Sequence, residues 1–154
     1  MEQSGIKWGD KFMLLGEYIH NVDSKGRVSI PSKFKEDLKE SFIITKGIDN
    51  CLFIYSKDQW NIFEDKLKQL PLTSVNARAF TRLFFSGATE VVIDKTGRVN
   101  IPQSLLNYAN ITKEVAIIGI ATRVEIWDKD KWYSYNNSNQ NLDEIASCMS
   151  ELGI

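Results

Sequence analysis

The order of apolar and polar positions divides the chain into short strands and short helices. Gly16 to Val22 alternates as a strand does. Arg27-Val28-Ser29-Ile30 alternates polar with β-branched apolar residues. Asp23-Ser24-Lys25-Gly26 lies between them as a turn, so the segment predicts a β-hairpin. Gly26 supplies the positive φ that other residues resist, and Asp23 can accept hydrogen bonds from turn amides. Pro31 cannot continue a central strand. Ser32 is expected to cap a short helix, Lys33 to Leu38, whose inner face carries Phe34 and Leu38. Strands follow over 42–46 and 51–55, joined by the loop Gly47-Ile48-Asp49-Asn50. Ser56 caps a helix from Lys57 to about Gln69 with Trp60, Phe63 and Leu67 as its apolar stripe, and Pro71 stops it. A further helix covers 74–85, with Val75, Ala79, Arg82 and Leu83 at helical spacing, Arg78 and Arg82 on one face, and Gly87 at its end.

The second half repeats this order. A strand over 88–93 precedes a turn, a return strand over 98–101, Pro102 and a short helix over 104–108. Strands over 114–118 and 123–127 flank a turn at Gly119, and a helix starting near Asp128 carries Trp132. From Tyr135 the polar run Asn-Asn-Ser-Asn-Gln-Asn reads as a linker. Residues 142–152 predict a terminal helix with Leu142, Ile145, Met149 and Leu152 on one side, too short to stand without a partner surface.

The repetition is literal. Asp23-Ser24-Lys25-Gly26-Arg27-Val28-Ser29-Ile30-Pro31 returns 71 residues later as Asp94-Lys95-Thr96-Gly97-Arg98-Val99-Asn100-Ile101-Pro102, with six of nine positions identical. After one inserted residue, Gly47-Ile48 matches Gly119-Ile120, Ile54 matches Ile126, Lys57-Asp58 matches Lys129-Asp130 and Trp60 matches Trp132. The expected units are 17–59 and 88–131. Residues 1–12 form an extension before the pattern, which starts at Met13, and 135–154 form a tail. Each unit is about 50 residues long, too small to bury a full core, so the two are expected to share one.

Composition is that of an ordinary globular chain, 43% hydrophobic and 25% charged. No apolar run approaches a membrane span and no signal peptide opens the sequence, so a cytoplasmic protein without membrane contact is expected. Cys51 and Cys148 lack metal or redox spacing and read as reduced thiols. Net charge is −1. Residues 23–46 nevertheless carry a local +2, residues 74–104 another +2, and residues 105–154 a local −3. The two signature stretches are thus the positive parts of a neutral molecule, a faint footprint for an anionic partner.

Little in the chain suits catalysis. His20 is the single histidine and has no counterpart in the second copy. Asp23 and Asp94 could pair across a pseudo-two-fold axis, but each precedes an arginine by four residues, which opposes a raised pKa. One glycine per turn makes no phosphate loop, and no Cys/His cluster offers metal ligands. No catalytic residue, metal or cofactor is expected. Asp23, Gly26, Asp94 and Gly97 read as turn residues. Lys25, Arg27, Lys95 and Arg98 are expected to face outward in two symmetric places. There they suit phosphate and base-edge contact, or serve as plain surface charge. The residues alone leave both readings open.

The spacing Gly16-x6-Asp23-Ser24-Lys25-Gly26-Arg27-x3-Pro31, its second copy and the junction Leu83-Phe84-Phe85-Ser86-Gly87-Ala88 resemble the MraZ family, roughly from Met13 to Tyr133. Each half is similar to the swapped-hairpin fold of AbrB-type transcriptional regulators. The resemblance implies an α+β fold, two AbrB-like β-hairpin units forming a small β-barrel with flanking helices, and protomers that close into a ring. It further implies a nucleoid-associated transcriptional regulator. Its partner is double-stranded DNA carrying repeated short boxes, upstream of a bacterial cell-division and cell-wall gene cluster that includes its own gene. By resemblance the functional positions are Asp23, Lys25 and Arg27, with Asp94 and Arg98 in the second copy. Lys95 joins Lys25, Arg27 and Arg98 as an expected DNA contact from its place in the turn, although Lys95-Thr96 stands where the first copy has Ser24-Lys25. The rival reading is a protein–protein scaffold or antitoxin-like module on the same fold. A hydrolase using Asp23 and Asp94 is a third.

Overall fold

A computed structural model describes residues 13–138 and 141–153. The expected extension over 1–12 lies outside them. Eight strands and six helices occur among the described residues. In chain order they are β1 (Leu14–Asn21), β2 (Arg27–Ser29), α1 (Ser32–Leu38), β3 (Ser41–Lys46), β4 (Leu52–Ser56), α2 (Lys57–Lys68) and α3 (Val75–Gly87). Then come β5 (Thr89–Val92), β6 (Arg98–Asn100), α4 (Gln103–Tyr108), β7 (Glu114–Ala121), β8 (Arg123–Asp128), α5 (Lys129–Ser138) and α6 (Leu142–Ser150). The fold is α+β, and its strand pairings are antiparallel.

The strands pair across the two copies. β1 leaves its own copy and pairs with β7, from Leu14 opposite Ala121 to Asn21 opposite Glu114. β5 pairs with β3 of the first copy. β2 and β6 pair with each other as a separate ribbon. The expected hairpin between 16–22 and 27–30 is therefore reduced to a tight turn and one bridge, Val22 to Val28. The reason lies in burial. Val28 and Val99 stand opposite each other and are both buried, an arrangement neither copy can supply alone. The main sheet runs β1-β7-β8-β4-β3-β5, and these pairings do not join β1 to β5 to close a barrel.

The central strands are buried on both faces, which explains their unbroken apolar runs. On the inner face Ile44, Leu52, Ile54, Ile117 and Ile126 pack with Phe34 and Leu38 of α1, Leu105 and Leu106 of α4, and the ribbon valines. On the outer face Phe53, Tyr55, Ile118 and Trp127 meet Trp60 and Leu67 of α2 and Phe84 of α3. The ribbon thus sits on one side of the sheet, and α2 and α3 on the other.

Several local expectations change. Ser56 does cap α2, accepting from the amide of Gln59 at 3.1 Å, and Ser74, expected as the first helical residue, instead caps α3, accepting from the amide of Ala77 at 3.1 Å. Ser32, however, is the first residue of α1, and Pro31 takes the cap position without a side-chain bond. The buried residue of α3 is Phe84, while Val75 is exposed. Gly119 is not in a turn but within β7, opposite Gly16. A Cβ there would lie 2.5 Å from the backbone of Leu14 and Leu15, so glycine is what lets β1 lie against β7. Residues 135–138, expected as linker, belong to α5. His20 sits near the end of β1, opposite Val115.

Candidate nucleic-acid interface

Both signature turns are closed by their aspartate. Asp23 Oδ1 accepts the amides of Lys25 and Arg27 at 2.9 Å each, and its Oδ2 accepts Arg27 Nε at 2.7 Å. Asp94 Oδ1 accepts the amides of Thr96 at 2.9 Å and Arg98 at 3.0 Å, and the Thr96 hydroxyl at 2.7 Å. Gly26 and Gly97 both hold φ near +82°. The carbonyl of Gly26 accepts Ile101 N–H at 2.9 Å, and that of Gly97 accepts Ile30 N–H at 3.0 Å. Each turn is thereby sewn to the opposite copy.

Where two separate symmetric places were expected, the structure makes one. Arg27 stands opposite Asn100 and Ser29 opposite Arg98, so both arginines rise from a single two-stranded ribbon. Arg98 Nη1 comes within 3.5 Å of Asp23 Oδ2, the oxygen that also holds Arg27. Arg98 Nε bonds Thr96 Oγ1 at 2.9 Å and lies 3.7 Å from its own Asp94. One third of each arginine side chain stays exposed, while Lys25 and Lys95 project from the two turns. Asp23 and Asp94 are hydrogen-bond acceptors in these turns and show no feature of a proton-transfer pair.

The electrostatics follow from those bonds. The backbone amide of Arg27, with its guanidinium, holds the Asp23 carboxyl below its usual range. The amide of Arg98 and the hydroxyl of Thr96 lower that of Asp94 to about 2. Both aspartates are anions at neutral pH, committed to turn amides. The ribbon thus presents two guanidiniums side by side, each side chain about one third exposed, a donor set that suits phosphate oxygens or the acceptor edge of a base.

Two residues that the turn motif did not single out lie against these glycines. Lys35 of α1 rests with its Nζ on Gly97, and Leu106 of α4 lies close to Gly26. They are 71 residues apart, so the repeat register was the signal that pairs them.

A family model described as "MraZ protein, putative antitoxin-like" matches residues 13–83 and again 84–150. The chain belongs to the MraZ family. The two matches meet inside α3, so one helix carries the chain from the first MraZ copy to the second. Relatives agree along the length. The transcriptional regulator MraZ of Clostridium tetani is 61% identical over 142 residues, covering 92% of this chain and all of that protein. Those of Alkaliphilus metalliredigens and Caldicellulosiruptor bescii are each 59% identical over 143 residues, with the same coverage. The MraZ relatives bear the name of a regulator, and each matched segment holds one of the two signature turns.

Proposed function

We propose that this chain is a transcriptional regulator that binds double-stranded DNA through the β2–β6 ribbon. The reading rests on one observation above others: Arg27 and Arg98, from different copies, are held side by side by Asp23 with about one third of each side chain exposed. A two-stranded ribbon fits the major groove, and arginine forks recognise guanine there. Lys25 and Lys95 at the ribbon ends supply phosphate contacts. Copies 17–59 and 88–131 act as one binding unit because neither completes the ribbon alone. The name of the relatives supports transcriptional regulation and not catalysis.

The protein works as a ring-like homo-oligomer on repeated short boxes upstream of a cell-division and cell-wall cluster that includes its own gene, in the cytoplasm at the nucleoid. No described helix is long and apolar enough to cross a membrane. The test is a mobility shift with the DNA immediately upstream of its own gene, wild type against Arg27→Ala. Retarded wild type and free mutant support the reading, and equal retardation overturns it. The family description favours, as the second reading, an antitoxin-like module that binds a protein partner through the same fold. That reading gains if the wild type binds no duplex at low salt.

A further inference from the structure

The two ends of the ribbon are alike in backbone and unlike in what covers them. Residue 35 in α1 and residue 106 in α4 occupy equivalent places in the two copies. Each reaches across to the turn of the other copy. At the first turn the visitor is Leu106, buried, with Cδ1 about 3.4 Å from where a Cβ on Gly26 would stand. At the second turn the visitor is Lys35, half-buried, whose Nζ and Cε lie over Gly97. An apolar lid on one turn is thus an ammonium on the other.

That ammonium has little to neutralise it. No acidic side chain among the described residues is within ion-pair distance of Lys35. Asp94, which lines the same cleft as Lys35, is engaged at Oδ1 by Thr96 and by the amide of Arg98, and its Oδ2 lies 3.7 Å from Arg98 Nε. Lys35 lines a cleft with Lys39, Glu40, Asp94 and Lys95, in which three cations face two carboxylates. Lys95 sits one position earlier in its turn than Lys25 does, so the second turn lacks a lysine at the place the first copy uses. Lys35, arriving from the first copy, brings a cation to that turn.

We propose that Lys35 is a phosphate-contacting residue of the second turn, supplied in exchange between the copies, and that it gives a pseudo-symmetric ribbon a direction on DNA. With Lys35 and Lys95 at one end and Lys25 beside Leu106 at the other, the two ends meet the phosphate backbone with different charge. This rests on the DNA-binding reading above. A lysine whose Nζ and Cε are already held over the Gly97 turn has less freedom to lose on contact than an unrestrained one.

The experiment compares wild type, Lys35→Leu, Lys35→Gln, Lys35→Arg and Arg27→Ala. The probes are a short mixed-sequence duplex and the duplex from upstream of the protein's own gene, titrated at a series of salt concentrations with melting temperatures alongside. Leucine is the residue the other copy carries at this place, and glutamine guards against a misfolded leucine variant. Expected is a several-fold weaker affinity for both duplexes in Lys35→Leu and Lys35→Gln. The slope of log affinity against log salt should become shallower by about 0.9 for each engaged turn. Lys35→Arg should stay near wild type. A residue that only packs would change the melting temperature and leave the salt slope alone. If Lys35→Leu and Lys35→Gln keep the wild-type slope while Arg27→Ala loses binding, Lys35 has no phosphate role and the DNA reading stands. If the wild type binds neither duplex, both fall together.

Discussion

Asp23 and Arg98 belong to different copies of the repeat, yet they face each other across 3.5 Å on one ribbon. The same carboxylate oxygen accepts Arg27 Nε at 2.7 Å. One anion thereby sets the spacing of two cations that lie 71 positions apart in the chain.

Replacing Arg27 by alanine should remove one guanidinium and leave the ribbon in place, because the turn is closed by backbone amides on Asp23. DNA affinity should fall by about 1–3 kcal/mol per engaged site, and further when many protomers share the loss. Arg98→Ala should cost less, since Arg98 is shared between Thr96 and two more distant carboxylates. Fluorescence anisotropy with circular dichroism checks both. An unchanged affinity for Arg27→Ala, or a larger loss for Arg98→Ala, contradicts this ranking.

Gly26→Val should strike stability. The residue holds φ near +82°, and a Cβ would stand 3.0 Å from the carbonyl oxygen of Ile101. A β-branched residue at such a φ costs about 1–3 kcal/mol. The melting temperature should drop, and an unchanged value would mean the turn does not need this backbone geometry.

Gly119→Val tests the strand exchange itself. Its side chain would enter the backbone of Leu14 and Leu15, with no flexible group to move aside. β1 should detach from β7 before the rest of the sheet opens. Hydrogen exchange should then show faster amides across Leu14–Asn21 than across β3 and β4. Uniform protection in the variant would contradict it.

Acid should loosen the second turn. The Asp94 carboxyl titrates at about 2 in place of 3.8, so its bonds contribute above the ordinary value and are lost as pH falls through the lower one. The difference in melting temperature between wild type and Asp94→Asn should be widest above about pH 4 and close by about pH 2. A difference that stays constant over that range would remove the turn's carboxylate from the account.

Assembly can be tested apart from DNA chemistry. Leu142, Ile145, Met149 and Leu152 are all exposed along one side of the tail. Light scattering should find a homo-oligomer at micromolar protein. Affinity should rise on the order of 100-fold or more from one box to several, through effective concentration. A monomer contradicts the ring, and equal affinity for one and several boxes contradicts the avidity.

The sequence made the repeat, the Gly26 and Gly97 turns and the cap at Ser56 readable, because each is local chemistry at fixed spacing. What it concealed was pairing. Alternation in 16–22 and 27–30 says that both segments are strands, but not that β1 would choose β7 and β2 would choose β6. That choice depends on Val28 meeting Val99 in a core that only both copies make. Gly119 read as a turn for the same reason, since its role is to admit a strand 103 positions earlier, at Gly16. The convergence of Arg27 and Arg98 was hidden with the pairing, and so was Lys35, whose place is fixed by a turn in the other copy.

The exchange of β1 has a consequence during synthesis. Leu14 must wait for Ala121, 107 positions later, before its partner exists. At about 5–20 residues per second, the first copy spends roughly 5–20 s with an unpaired edge strand carrying Leu15 and Ile19. Val28 is without its buried partner for most of that time. The nascent half is thus a sticky intermediate by construction, and crowded polysomes would let one chain's β1 meet another chain's β7. Slowed translation in the second half, or loss of a nascent-chain chaperone, should therefore convert soluble product into intertwined or aggregated chains with no change in sequence.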